Sequence, residues 1–145
     1  MKRFVFKLQK LLEVRQYEQR QAEAELGKAN AEVSRIQGEL DAIAKSRVSS
    51  IKTNGSAQDL YVQSQLSNYL YMLDQKKEVL LEDLVQAQMI SDQKRDVVRE
   101  CLKNTKSLEK LREKQLSDWK KNLVKEEENI VDDVVSAKGN KIGTE

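Results

Sequence analysis

The segment AEAELGKANAEVSRIQGELDAI, residues 22–43, decides the fold predicted for this chain. Its apolar side chains recur in alternating steps of four and three residues, which is the a/d spacing of a coiled-coil helix. Such a narrow stripe is buried when a second helix packs along it. The segment therefore predicts a long helix with a helical partner. The residues on the stripe are Ala22, Leu26, Ala29, Val33, Ile36, Leu40 and Ile43.

The same spacing extends toward the N-terminus with two polar interruptions. At the C-terminal side the pattern stops near residue 49. We therefore predict a first helix over about residues 3–49. Counting back from residue 22, the stripe passes through Gln19, Arg15, Leu12, Leu8 and Val5.

A polar segment separates this helix from the next apolar stripe. It contains Asn54-Gly55, a pair that tolerates positive φ and marks a turn. Ser56, followed three residues later by Asp59, resembles a capping box with Asp in place of Glu. We predict a turn over about residues 50–56 and a second helix that begins near residue 57.

The second apolar stripe is longer than the first. One heptad position recurs every seven residues from Leu66 to Leu108. Beyond it the steps 108, 112 and 116 form a stutter, which locally unwinds a left-handed supercoil. We predict a helix over about residues 57–137 and a flexible tail over residues 139–145. The other heptad position, or its neighbour, is assigned to Tyr69, Leu70, Leu84, Ile90, Val97, Val98 and Leu111.

Two helices of unequal length predict an all-α fold, an antiparallel two-helix coiled coil with a longer, overhanging second helix. The composition fits, since the chain is 34% charged, 5% aromatic and without proline. We expect one rod over residues 1–138, in which the N-terminus pairs with residues 102–108. The rest of helix two would overhang by roughly 45 Å, at 1.5 Å per residue. Because an isolated helix is marginal in water, we expect a partner to order it.

Two features of this layout have alternative interpretations. Trp119 either packs on helix one or anchors a partner protein, and the expected register favours the anchor. Gly27 and Gly38 lie off the apolar stripe, where each costs about 1 kcal/mol relative to Ala. They are either tolerated surface glycines or positions at which another chain approaches closely.

The net charge of +2 makes no case for nucleic-acid binding, but the charges are unevenly placed. Residues 103–125 carry eight basic and three acidic side chains, and residues 1–20 carry six basic and two acidic ones. Residues 126–133 then carry five acidic and no basic side chains. One interpretation is a solvated surface with ion pairs. The other is a basic open end that steers toward an acidic partner.

The chain lacks residues that most catalytic and metal sites need. It has no histidine, one cysteine, and five glycines that form no phosphate-binding loop. Cys101 shares a heptad column with Leu73 and Leu80, which favours core packing over a nucleophile. A coiled coil also offers no enclosed pocket to shift carboxylate pKa values. We therefore expect no enzymatic activity, no cofactor and no metal.

The sequence favours a cytoplasmic protein. Lys7 and Lys10 interrupt the apolar residues that follow the basic start, unlike the core of a signal peptide. No stretch approaches the roughly 20 apolar residues that span a bilayer. A single cysteine fits a reducing compartment. We expect any membrane association to come through a partner, without direct insertion.

Three features together resemble a known family. The start MKRFVFKLQKLLEVR, residues 1–15, precedes a helix rich in Glu, Ala and Gln over residues 18–40. After the polar turn, helix two contains YLYML, residues 69–73, an aromatic-Leu-x-x-Leu element. The chain resembles the flagellar export protein FliJ family over essentially its whole length, most specifically in the pattern KRFxFxLxKLLxxR of residues 2–15.

The resemblance implies a component of the flagellar type III export apparatus, peripheral at the cytoplasmic face of the basal body. Family members are antiparallel coiled coils that insert into the hexameric ring of the export ATPase and promote its assembly and hydrolysis. They also contact the membrane-embedded export gate and bind export chaperones. The implied partners are therefore the export ATPase hexamer, the export-gate membrane protein and the export chaperones, with no nucleic acid.

The resemblance also implies a gate-facing surface near the middle of the rod, at Ile43, Tyr69, Leu70 and Leu73. We expect Tyr69 and Leu73 on the buried stripe, with Leu70 partly exposed beside residues 71–72. This patch is either a docking site or a wider interior. The family pattern is altered nearby, since polar residues stand where family members often have apolar or aromatic ones: Ser46, Ser50 and Lys77.

For the ATPase ring, we hypothesise that the N-terminal turns and the overhang form the contacting end. This hypothesis combines the basic, apolar-striped end with the shaft role that the resemblance implies. The ring-facing residues are Phe4, Leu8, Leu11, Leu116, Trp119 and Leu123.

Two other functions fit the same sequence features. A free-standing holdase chaperone could grip clients with the exposed ends of a coiled coil. The equivalent stalk of a virulence injectisome would have a similar sequence, and residues 1–15 favour the flagellar system. Saturable binding to one ATPase separates a stalk from a holdase, which would suppress aggregation broadly.

Overall fold

The computed structural model describes residues 2–142, and side chains as far as residue 139. Two helices, α1 (Gln9–Asn54) and α2 (Leu60–Ile142), pack against each other. No strand occurs within the described residues. The predicted all-α, two-helix class is therefore confirmed.

The helix bounds differ from the predicted ones. Helix α1 begins at Gln9 rather than near residue 3, and it continues to Asn54 rather than ending near residue 49. Helix α2 begins at Leu60 and reaches Ile142. Residues 139–142 of the predicted flexible tail are therefore helical, while residues 143–145 lie outside the described part of the chain.

The turn occupies residues 55–59 and is fixed by backbone and side-chain hydrogen bonds. The N–H of Gly55 donates to the carbonyl oxygen of Ile51 at 2.7 Å. A Cβ on Gly55 would collide with that oxygen, and no described residue has a positive φ. Close approach, rather than the expected positive φ, therefore selects glycine here. Asp59 rather than Ser56 caps α2, since its Oδ1 accepts the N–H of Tyr61 at 2.9 Å.

The chain divides into two compact units. The turn unit consists of Glu18–Cys101, and the terminal unit consists of Met1–Tyr17 with Leu102–Glu145. Each unit contains part of both helices. A single domain over residues 1–138 remains a prediction.

The core of the turn unit follows the predicted stripes. Ala22 and Ile36 of α1 are buried, as are Leu73, Ala87 and Val98 of α2. Small alanines let the two helices approach closely, and the branched side chains fill the space beside them. The expected stripe on α1 is therefore confirmed from residue 22 to residue 43, where every member is at least half-buried.

At one position on α2 the buried residue is the neighbour of the predicted one, and at another, which was left open between two valines, the second valine is buried. Ile90 and Val97 are half exposed, whereas Ser91 and Val98 occupy the buried positions. Ser91 can be buried because its hydroxyl donates to Asn30 Oδ1 at 2.6 Å. A serine with a hydrogen-bonded hydroxyl therefore occupies the core position that hydropathy alone would assign to Ile90.

The terminal unit begins with a non-helical segment, residues 2–8, that lies against α2. Phe6 and Leu12 are buried, whereas Val5 is 75% exposed and Leu8 is also exposed. The predicted helical stripe through Val5 and Leu8 is therefore wrong. Side chains alternate along a non-helical, extended-like segment, so Phe4 and Phe6 face one way and Val5 the other.

This segment changes the register at the open end. A non-helical segment can cover up to about 3.3 Å per residue, against 1.5 Å in a helix. Phe4 consequently reaches Trp119, well beyond the predicted pairing with residues 102–108. Residues 124–139 are all exposed. The unpaired part of α2 therefore begins after Leu123, and not near residue 109 as predicted.

Candidate partner-binding surfaces

An aromatic cluster forms where the N-terminal segment meets α2. The rings of Phe4 and Trp119 have centroids 6.1 Å apart and a tilt of 55°. The guanidinium carbon of Arg112 lies 5.9 Å from the centroid of the Phe4 ring, within the range of a cation–π contact. This cluster closes the end of the paired region. Trp119 therefore packs inside the chain rather than standing free as an anchor.

The six ring-facing residues expected from the sequence separate into two groups. Phe4, Leu116, Trp119 and Leu123 are half-buried. Leu8 and Leu11 are exposed and available to another protein. The geometry brings Phe4 and Trp119 into contact, and it leaves the two leucines as the accessible members of the set.

The sequence argument missed two members of the terminal unit's packing. Phe6 is buried, and Arg112 lies over Phe4. No clear signal for Phe6 was present in the sequence, since Phe4, Val5 and Phe6 are all apolar and show no alternation of apolar and polar residues. Arg112 lies on one of the stutter steps of the α2 stripe. Its position over the Phe4 ring could not be predicted without knowing how the N-terminal segment aligns with α2.

Charge is distributed differently in the two units. Seven ion pairs join side chains between positions 25 and 99. None of the basic side chains at positions 103–125 lies in such a pair. Arg47 and Asp74 link α1 to α2 within the turn unit. The ion pairs named here lie in the turn unit, and the basic side chains at positions 103–125 of the terminal unit take part in none of them.

One of these pairs changes a pKa. Glu32 accepts hydrogen bonds from the guanidinium of Arg35, at 2.6 Å for the shorter. These bonds hold the pKa of Glu32 below the ordinary value of 4.5, and they raise the pKa of Arg35. Arg35 also donates to Glu39 at 2.8 Å, so it holds two carboxylates on one face of α1.

The expected gate-facing residues lie in the turn unit with different exposures. Leu73 is only 5% exposed, whereas Ile43 and Leu70 are half-buried. Tyr69 is 38% exposed. Tyr69 was expected on the buried stripe and Leu70 partly exposed. The structure shows the reverse, because the heptad position falls on Leu70. Tyr71 and Met72 are exposed as expected.

Two shallow grooves divide these residues. Ile43 lines a groove of about 600 Å³ together with Val79 and Leu80, between Glu39 and Lys76. Tyr69 lines a separate groove of about 280 Å³ near the turn, together with Tyr61, Leu66, Ser50 and Asn54. The structure therefore does not place Ile43 and Tyr69 in one groove.

The described residues contain no cluster of three His, Cys, Asp or Glu side chains that could hold a metal ion. No helix between residues 2 and 142 is both long and apolar enough for a membrane span. Cys101 is half-buried in α2, as its heptad position predicts. Gly27 and Gly38 have open space around them within the chain.

The two helices and their exposed patches define a coiled-coil protein whose surfaces suit binding to other proteins. Comparison with known protein families identifies the family to which this coiled-coil protein belongs. Residues 4–141 match the family described as Flagellar FliJ protein, so the chain belongs to the FliJ family. Searches of curated proteins and of solved structures gave no match. The chain is therefore a flagellar export-related coiled-coil protein, from a family of non-catalytic export components.

Proposed function

We propose that this chain is the stalk of the flagellar export ATPase, inserted in its hexameric ring, where it promotes ring assembly and ATP hydrolysis. The observation that carries the proposal is the terminal unit. It combines the aromatic contact of Phe4 and Trp119 with exposed leucines and with the excess of basic side chains at positions 103–125.

Each feature has a physical role in such a stalk. The contact between Phe4 and Trp119 holds the N-terminal segment on α2, so the end enters a ring as one packed body. Leu8 and Leu11 offer apolar contact area at that end. The basic side chains at positions 103–125 steer the end toward acidic surface and fade in effect at high salt.

The turn unit is proposed to link the ATPase to the export gate and to export chaperones. Tyr69 is the most accessible of the four gate-facing residues, and it lies in a groove beside the turn. Leu73 is buried and therefore not directly accessible to a partner. In this arrangement the protein sits peripherally at the cytoplasmic face of the basal body, without direct membrane insertion.

Steady-state ATP hydrolysis by the cognate export ATPase, titrated with the chain, tests the ring contact. We expect the wild type to raise turnover and Leu11→Ser to weaken the effect by roughly tenfold in half-maximal concentration. Leu81→Ser is the matched control, because Leu81 is 38% exposed on a helix and Leu11 is 40% exposed. Equal stimulation by both variants, or none by the wild type, contradicts the proposal and favours a chaperone.

The gate contact has its own matched pair. Tyr69→Ala should weaken binding to the soluble part of the export gate, whereas Tyr71→Ala should not, although Tyr71 is more exposed at 67%. Both variants should retain ATPase stimulation. Equal losses of gate binding in the two variants would remove Tyr69 from the proposed surface.

A further inference from the structure

The exposed part of α2 beyond Leu123 has a face without a partner in the described chain. Val124, Val131 and Val134 lie on one face with Glu127, and all four are exposed. Three apolar residues at helical spacing in water are unfavourable unless they are covered. This face continues toward the N-terminus through Lys120 and Leu116, at steps of four residues.

The charges along α2 suggest what covers this face. Residues 103–125 carry eight basic and three acidic side chains, and residues 126–133 carry five acidic and no basic ones. A helix with a basic half followed by an acidic half is complementary to itself when two copies run antiparallel. Such a pairing is isologous, as a two-fold dimer requires.

We propose that the end of α2 binds a second copy of this chain in an antiparallel two-fold dimer. In one alignment an opposite-charge pair and apolar side chains meet across the two copies, while Val134 lies opposite Glu113. When Glu127 lies opposite Lys120 of the second copy, Val131 lies opposite Leu116, and Val124 lies beside its own equivalent at the two-fold axis.

The same alignment extends to the ends of the paired segment. Asp133 comes opposite Lys114, and Lys138 comes opposite Glu109. Opposite charges therefore meet at several positions along the stretch, including the reversal of sign near its end. A parallel pair would instead place each charge beside its own like charge, which is destabilising.

The pairing covers Leu116 and lies beside Trp119 and Leu123, which are ring-facing residues in the proposed function. If that function holds, dimer formation and ring binding compete for one surface. The dimer itself does not depend on the ATPase, so it can be tested on the chain alone.

Sedimentation equilibrium of the full chain over micromolar to submillimolar concentration tests the proposal, at low and high salt. We expect a monomer–dimer equilibrium that weakens with salt. Reversing the acidic face in the variant Glu126→Lys, Glu127→Lys, Glu128→Lys should weaken the dimer by about tenfold or more. The matched control is Glu78→Lys, Glu82→Lys, Asp83→Lys, which changes the net charge equally within the turn unit.

A charge swap decides between this pairing and a nonspecific charge effect. The variant Lys114→Glu, Lys120→Glu, Lys121→Glu should also lose the dimer, and mixing it with the acidic-face variant should restore association as a heterodimer. A wild type that stays monomeric overturns the proposal and leaves the face to a different protein. A dimer that survives both reversals, or fails to return on mixing, also overturns it.

Discussion

The ring of Phe4 packs against the indole of Trp119, with centroids 6.1 Å apart, although 114 residues separate them in the chain. This contact fixes where the N-terminal segment ends along α2. It also determines which part of α2 remains without an intramolecular partner, because residues 124–139 beyond it are all exposed. The paired end and the unpaired extension are therefore set by one aromatic contact.

Substitution of Phe4 by Ala should loosen the terminal unit. The aromatic pair contributes about 0.5–1.5 kcal/mol beyond the area it buries. Trp119 is the only tryptophan, so its fluorescence reports this unit specifically. We expect a red-shifted emission and a lower urea midpoint by fluorescence. Val5→Ala, at a 75% exposed position, is the control and should change neither. Unchanged fluorescence in Phe4→Ala contradicts the contact.

The turn unit should depend strongly on Ile36. This side chain is only 1% exposed, so Ile36→Ala leaves a cavity in a packed interface. Such substitutions cost roughly 2–5 kcal/mol, measurable by urea unfolding followed by circular dichroism. Ile90→Ala removes the same atoms at a half-exposed position and should cost under about 1 kcal/mol. Comparable losses in the two variants would mean that α2 has a different register.

Glycine substitutions should have opposite effects at two positions. A Cβ at Gly27 meets nothing within 4 Å, so Gly27→Ala should stabilise α1 by about 0.5–1 kcal/mol. Gly55→Ala should destabilise the chain, because its Cβ would collide with the carbonyl oxygen of Ile51. Thermal unfolding of both variants checks the signs. If Gly27→Ala also loses a partner while gaining stability, close approach of another chain becomes the reason for that glycine.

The ion pair of Glu32 and Arg35 should make the stability of the folded chain depend slightly on pH in the acidic range. Because the pKa of Glu32 is lowered in the folded chain, its contribution to stability is present above the ordinary value of 4.5 and is lost as pH falls through the folded pKa. NMR titration should find the pKa of Glu32 below the ordinary value of 4.5. Arg35→Gln should return it to the ordinary range. An ordinary pKa in the wild type would show that the pair is not maintained in solution.

The heptads predicted most of the turn unit because one periodicity governs it. The stripe from Ala22 to Ile43 is at least half-buried throughout, and Leu73 and Ala87 lie in the core. The prediction of core residues failed where the heptad position and the more hydrophobic residue did not coincide. Ser91 takes the buried position next to Ile90, because Asn30 satisfies its hydroxyl. A single sequence does not reveal a partner 61 residues away.

The open end was predicted less well because its first residues are not helical. Extending the heptad to Val5 assumed a helix, whereas residues 2–8 are not helical and burial alternates from Phe4 through Val5 to Phe6. The added reach of that segment moved the pairing partner to Trp119. The expected surfaces changed accordingly, since Trp119 is part of the packing within the chain and Leu11 is exposed.

The mass of the export ATPase assembly, followed by light scattering as the chain is added, tests the stalk proposal most directly. A cyclic ring has one central axis, so one stalk should occupy it. The account predicts that rings form at lower ATPase concentration and that the effect saturates at about one chain per ring. Assembly that is unchanged by the chain, or binding that continues to one chain per ATPase subunit, would contradict the stalk.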